Sequence, residues 1–212
     1  MIKITNLPDV LPLFPLPEAL LLPRTRIQLN VFEPRYLAMV EDIMKTRERL
    51  IGMIQPRGKE ADGPLRDVGC AGRLSSFIET DDGRYLITLT GVSRFRVREQ
   101  ISASTPYLRA NVNWQDYACD LSGAEHDKGF DRDGFLKLLE RFFALEELDT
   151  DWENLKQAKP EMLINSLSML VPFAPEDKQA LLEVKTLTKR RETLVALLEL
   201  AVQRNQTGGG LQ

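Results

Sequence analysis

Residues Ile27 to Ile43, IQLNVFEPRYLAMVEDI, constrain the fold more than any other stretch, because they change backbone periodicity without an intervening linker. Ile27, Leu29 and Val31 alternate with Arg26, Gln28 and Asn30, the period-two pattern of a strand with one dry and one wet face. The alternation stops at Phe32. Pro34 suits the first helical position, where its missing N–H would have had no intrahelical partner, and Tyr36, Val40, Ile43 and Arg47 then recur at helical spacing. A strand, a sharp Glu33-Pro34-Arg35 corner and a helix follow directly. A cation in the first turn opposes the positive end of the helix dipole by roughly 0.3–1 kcal/mol, so Arg35 is expected to pair with Glu33 or with a carboxylate from another strand. Display of Arg35 toward a ligand is the alternative.

On the N-terminal side, residues 7 to 23 (LPDVLPLFPLPEALLLP) interleave proline with apolar residues. This predicts a short strand near Val10 to Phe14 and then an irregular extended loop; because proline removes ladder donors, the strand is expected at a sheet edge or bulge. Leu20, Leu21 and Leu22 are conspicuous in a loop. They either fold back over the core or form an exposed apolar patch for a polypeptide or protein partner.

After the first helix, Leu50 to Ile54 has the length of a buried strand, and Gln55 to Pro64 reads as a polar loop. The run GMIQPRGKE imitates a phosphate-binding loop, but its spacing is one residue too long, Lys59 is followed by Glu60, and Pro56 has no N–H, so that reading is rejected. From Val68 the pattern is one of consecutive strands, with Asp82-Gly83 as a hairpin turn and Gly91 as a bend or bulge. Tyr85, Ile87 and Leu89 face one way, Thr88 and Thr90 the other. Arg94, Arg96 and Arg98 alternate with Phe95 and Val97, which predicts three guanidinium groups on one outer face. Such a stripe is either a solvated face flanked by carboxylates or a track for RNA phosphates. Tyr107 to Trp114 gives a further strand with Leu108, Ala110, Val112 and Trp114 on its dry side.

The composition then changes. Residues 117–132 form a polar, glycine-bearing hinge, and the remainder is helical. Phe135, Leu138, Leu139, Phe142 and Phe143 make the first apolar stripe, and Trp152 with Leu155 begins a second segment. Pro160 opens a third, supplied by Met162, Leu163, Leu167 and Leu170; a fourth begins near Glu176 and continues through Leu187, Leu194, Leu198 and Val202. The expected organisation is a β-rich lobe over 1–116, a hinge over 117–132, a helical bundle over 133–206 and a disordered tail over 207–212.

Composition narrows the function classes. A net charge of −3 and a pI near 5.4 argue against whole-protein attraction to nucleic acid or to an anionic membrane. No stretch approaches the roughly 20 apolar residues of a membrane span, and the proline-interrupted N-terminus has no leader-peptide pattern. Cys70 and Cys119 have neither zinc-site spacing nor the density of a disulfide scaffold, which fits a reducing cytoplasm. His126, between Glu125 and Asp127, lacks a second strong ligand, so neither metal nor cofactor nor catalysis is expected there.

With these residues in place, the chain resembles the Lon substrate-binding domain family, meaning the N-terminal domain of the ATP-dependent Lon protease and its stand-alone bacterial relatives. The resemblance rests on LPLFPL (Leu11 to Leu16), Pro23, the run NVFEPRYLAMV, Val68-Gly69 followed by Gly72-Arg73-Leu74, Leu89-Thr90-Gly91 leading into Arg94-Phe95, and the late run VPFAPEDKQALLE. One departure is Pro23-Arg24, where the family often has Pro-Gly. The resemblance implies an α+β fold: a PUA-like, partly closed, twisted β lobe with one helix, then a C-terminal helical bundle. It also implies protein quality control through substrate recognition, without ATPase or Ser-Lys peptidase modules. Ser166 and Ser168 lie on a predicted helix with no nucleophile motif. The expected function is therefore non-enzymatic binding of polypeptide or a protein partner, with Leu20, Leu21 and Leu22 as the contact and Phe32, Glu33, Pro34, Arg35 and Tyr36 as a mainly structural signature. The alternative is an RNA-binding PUA-like module using Arg94, Arg96 and Arg98.

Overall fold

Strands come first and helices after them: β1 (Val10–Pro15), β2 (Arg26–Val31), α1 (Pro34–Met44), β3 (Leu50–Pro56), β4 (Leu65–Glu79), β5 (Tyr85–Ile101) and β6 (Arg109–Asn113) precede α2 (Arg132–Leu145), α3 (Trp152–Gln157), α4 (Pro160–Leu170), α5 (Pro175–Glu183) and α6 (Leu187–Gly208). The structure is a computed structural model that describes the backbone of residues 4–58, 63–102 and 104–208 and the side chains of these residues up to 204. Lys59 and Glu60 of the rejected phosphate loop, and residues 209–212 of the expected tail, lie outside the described residues; Thr207 and Gly208 end α6. The chain divides into two units between Ala124 and Glu125. Among the described residues no helix is long and apolar enough to cross a membrane.

In the β unit the strand order is β2-β5-β4-β3-β1-β6, and β6 returns to pair with β5. Five strands thus close on themselves while β2 stays outside the ring, giving a partly closed sheet in an α+β protein. Strand β5 makes this possible by its length: Tyr85 to Thr90 pairs with β2, and Arg96 to Ile101 pairs with β6. The register shift between Ala71 and Gly72, opposite Ser93 and Gly91, turns β5 from one partner to the other. The core of the ring draws Leu13, Ile54, Ala71, Phe95 and Val112 from all five strands.

Strand β1 corrects the edge expectation, since it lies between β3 and β6. Its prolines are tolerated because the two neighbours use different halves of the strand. Val10, Leu11 and Pro12 match β6, whereas Leu13, Phe14 and Pro15 match β3 in parallel.

Helix α1 covers the sheet with Tyr36, Met39, Val40 and Ile43 buried; the helix ends at Met44, so Arg47 lies beyond it. The Tyr36 and Phe14 rings pack 4.3 Å apart between centroids. Two tyrosines fix its polar side: Tyr85 Oη donates to Glu41 Oε1 at 3.0 Å and Tyr107 Oη to Asp42 Oδ2 at 2.9 Å. Burial and then the Asp42 carboxylate push the Tyr107 phenol up to about 12.

The helical unit is built around Phe135, Leu139, Phe142, Leu163, Ile164, Leu181, Leu194 and Leu198. Helices α2, α3 and α4 match the sequence reading, except that Met162 and Leu170 are exposed while Ile164 takes an inward place. The fourth predicted helix is two. Val184 is extended and ends α5, and α6 restarts where Glu125 Oε2 accepts from Leu187 N at 2.8 Å and Thr186 Oγ1 from Lys189 N at 3.2 Å, satisfying first-turn donors. Leu108, expected on the dry side of the last strand, precedes β6 and is exposed.

Candidate functional site

The exposed-patch reading of Leu20, Leu21 and Leu22 does not stand, because all three are buried. Pro23 and Arg24 form a tight turn with Thr25 N donating to Leu22 O at 3.2 Å, and Arg24 adopts φ +66°, the left-handed region that glycine enters without penalty. Thr25 Oγ1 donates to Leu22 O at 2.7 Å, and Arg24 N to Gly91 O at 2.8 Å. The loop is thereby pinned to β5, and the absence of side chains at Gly72 and Gly91 makes room for it: a Cβ on Gly72 would lie 2.7 Å from Leu21 Cδ2, and one on Gly91 would meet the backbone of Leu22. Burying a leucine contributes about 1.5–3 kcal/mol. Leu21→Ser and Leu22→Ser are therefore expected to act on stability, each by at least about 2 kcal/mol in denaturant titration.

The arginine stripe also dissolves. Arg94 and Asp120 are both 0% exposed: Asp120 Oδ2 accepts from Arg94 N at 2.8 Å and from Nε at 2.9 Å, and Oδ1 from a terminal guanidinium nitrogen at 2.7 Å. The Arg94 guanidinium lies 4.3 Å over the Tyr117 ring, and Arg24 donates to the Asp120 carbonyl at 2.6 Å. Burial works against the Arg94 charge, but the Asp120 hydrogen bonds and charge outweigh it and raise the group above its ordinary value. Arg96 pairs with Asp116 at 2.7 Å, so Arg98 is the one exposed cation left of the three. Local alternation could not show this, because the segment Gln115–Leu121 that supplies both carboxylates packs back on β5 from 20 or more positions away.

At the corner, Arg35 finds its expected partner. Its Nε donates to Glu33 Oε2 at 2.9 Å, and its guanidinium lies 4.8 Å over the Tyr36 ring. With side-chain exposures of 31% and 42%, the pair is too wet to contribute much. Arg35→Ala is expected to cost no more than about 1 kcal/mol, read as a small drop in Tm.

Phe32, by contrast, faces solvent. It is 61% exposed. It directly follows Val31, the last residue of β2, at one end of an outward face made by β2, β5 and β4, where cross-strand partners share a side. Asn30, Leu86 and Ile78 form one row, Gln28, Thr88 and Ser76 the next, and Arg26, Thr90 and Arg73 the last. Ile78 is 53% exposed, Leu86 is half-buried, and the Arg84 guanidinium lies 5.9 Å over the Phe32 ring. Leu86 and Ile78 are thus cross-strand partners on the face opposite Tyr85, Ile87 and Leu89, whose side chains are covered, and Phe32 lies beyond their row under the Arg84 guanidinium. The sequence signal was present: Leu86 and Ile78 break the polar side of the hairpin alternation on both arms. Among the described residues no cluster of His, Cys, Asp and Glu is placed to hold a metal, and His126 is exposed.

A family model described as ATP-dependent protease La (LON) substrate-binding domain matches residues 10–199. Lon protease 2 of Sorangium cellulosum (strain So ce56) is 33% identical over 108 residues, 49% of this chain and 13% of that protein. Lon protease 2 of Myxococcus xanthus is 27% identical over 206 residues, 93% of this chain and 24% of that protein. The chain spans at most about a quarter of the length of either relative. Among solved structures, a Lon N-terminal domain protein from Xanthomonas campestris superposes with a TM-score of 0.62 at 27% identity, covering 88% of this chain and 97% of that one. The N-terminal domain of the Mycobacterium avium complex Lon protease superposes at 0.63 with 14% identity over 90% and 98%, a likeness of fold.

Proposed function

The chain belongs to the ATP-dependent protease La (LON) substrate-binding domain family, and from that premise we propose that it binds unfolded polypeptide through the outward face of β2, β5 and β4. Substrate recognition, with no bond broken, is the family's role. The observation that carries the location is Phe32, an aromatic inside the strand-corner-helix signature that the fold leaves 61% exposed at the end of the face that also carries Ile78 and Leu86. Exposed aromatic and aliphatic side chains on a rigid sheet give an unfolded chain apolar area to bury without ordering the receptor first.

The RNA alternative has lost its support, since Arg94 is committed to Asp120 and Arg96 to Asp116. Phe32→Ser combined with Ile78→Ser is expected to weaken binding of a reduced, alkylated protein by about tenfold or more. Because both residues are surface-exposed, Tm should hold within a few degrees. Unchanged affinity in the folded double variant would exclude this face.

A further inference from the structure

We propose that β2 is a docking edge that takes one extended segment of the bound polypeptide as an added antiparallel strand, apolar toward the segment's N-terminal end and acidic toward its C-terminal end. The inference rests on the polypeptide-binding reading above and deepens it.

Three observations carry it. First, among the described residues β2 pairs only with β5, so one side of its backbone presents unpaired donors and acceptors. The strand RIQLNV has no proline, no bulge and one charge, so it lacks the usual devices that discourage pairing. Second, Ile27 and Leu29 lie on the dry face yet remain half-buried, while their β5 partners Leu89 and Ile87 are fully buried. A further strand alongside β2 would cover what the sheet leaves open, with the segment's alternate side chains over Ile27 and Leu29 on one face and beside Phe32 on the other. Third, the outward face changes character along the strand: Phe32, Leu86 and Ile78 at one end, Gln28, Thr88 and Ser76 between, Arg26 and Arg73 at the other. Among the described residues neither Arg26 nor Arg73 forms an ion pair, and both are exposed. The two ends are about 20 Å apart, six strand residues. The antiparallel ladder is the more stable one, and it puts the segment's start beside Phe32 and its end beside Arg26. A carboxylate about four to six residues after the apolar stretch then lies beside Arg26, whereas Arg73, on β4, stands two strands further in and adds only to the positive charge of that end.

The test is fluorescence anisotropy with a labelled peptide of about ten residues, carrying alternating Val, Ile and Phe first and two Glu last. Two further peptides carry N-methyl groups on one or the other alternate set of backbone amides. The expected result is binding by the parent, loss of about tenfold or more on methylating one set, and tolerance of the other, because only one set faces β2. Arg26→Glu should weaken the parent about fivefold and favour a peptide with Lys in place of Glu. If the parent binds and responds to Phe32→Ser but both methylated peptides bind equally well, strand addition is wrong and the polypeptide reading survives. If the parent fails while the unfolded protein still binds, strand addition is again overturned. If neither binds, the polypeptide reading falls with it.

Discussion

Asp120→Ala is expected to lower the stability of the β unit by about 3–5 kcal/mol, the largest effect of any single side-chain truncation outside the apolar core. The carboxylate takes two side-chain bonds and one backbone bond from Arg94, and neither residue is exposed. Its removal leaves a guanidinium that cannot reach water and an amide without its acceptor. The cost is that of an orphaned charge, which exceeds the net worth of the pair. Arg94→Met in the Asp120→Leu background should recover much of the loss, because apolar groups of similar volume often replace a buried ion pair without penalty. Trp114 lies in the β unit and Trp152 in the helical unit, so urea unfolding in a Trp152→Phe background reads the first alone. A shift of less than about 1 kcal/mol for Asp120→Ala would mean that the pair does not tie the segment Gln115–Leu121 to β5.

The second large effect belongs to Gly91. A methyl group there would run into the Leu22 carbonyl and approach Pro23 Cα at 3.2 Å, and these are backbone atoms that cannot rotate away. Gly91→Ala is expected to cost about 3 kcal/mol or more by lifting the Leu20–Leu22 loop off the sheet. Gly83→Ala is the control: φ is +76° but no atom lies within 4 Å, so backbone strain alone costs roughly 1 kcal/mol. Comparable losses at both positions in urea titrations would show that the loop is not held where the structure places it.

These two sites also mark what a reader of the sequence can and cannot see. Alternation and helix punctuation located β2, α1, the β4–β5 hairpin and most of the helical unit, because those signals are local. Buried charge pairing is not local. The alternation of Arg94, Arg96 and Arg98 was real, yet Asp116 and Asp120 come from a segment about 20 residues later, and only the fold brings them back. The leucine triplet was legible as either loop or patch. Gly72 and Gly91, read as family motif residues, decided it by leaving space. Phe32 was hidden for the opposite reason: it sits inside a signature whose neighbours Tyr36 and Val31 are buried, so its own outward direction was masked by theirs. The prolines of β1 misled because a strand flanked on both sides can still assign each half to a different partner.

Amide hydrogen exchange of the intact chain, with and without saturating reduced and alkylated protein, tests the central claim most directly. Binding at the outward face and edge predicts new protection in residues 26–32, with smaller effects in 76–90, and none in the buried Leu20–Leu22 loop or the helical unit. Protection that appears only in residues 125–204, or around Arg98 with 26–32 unchanged, would contradict the assignment.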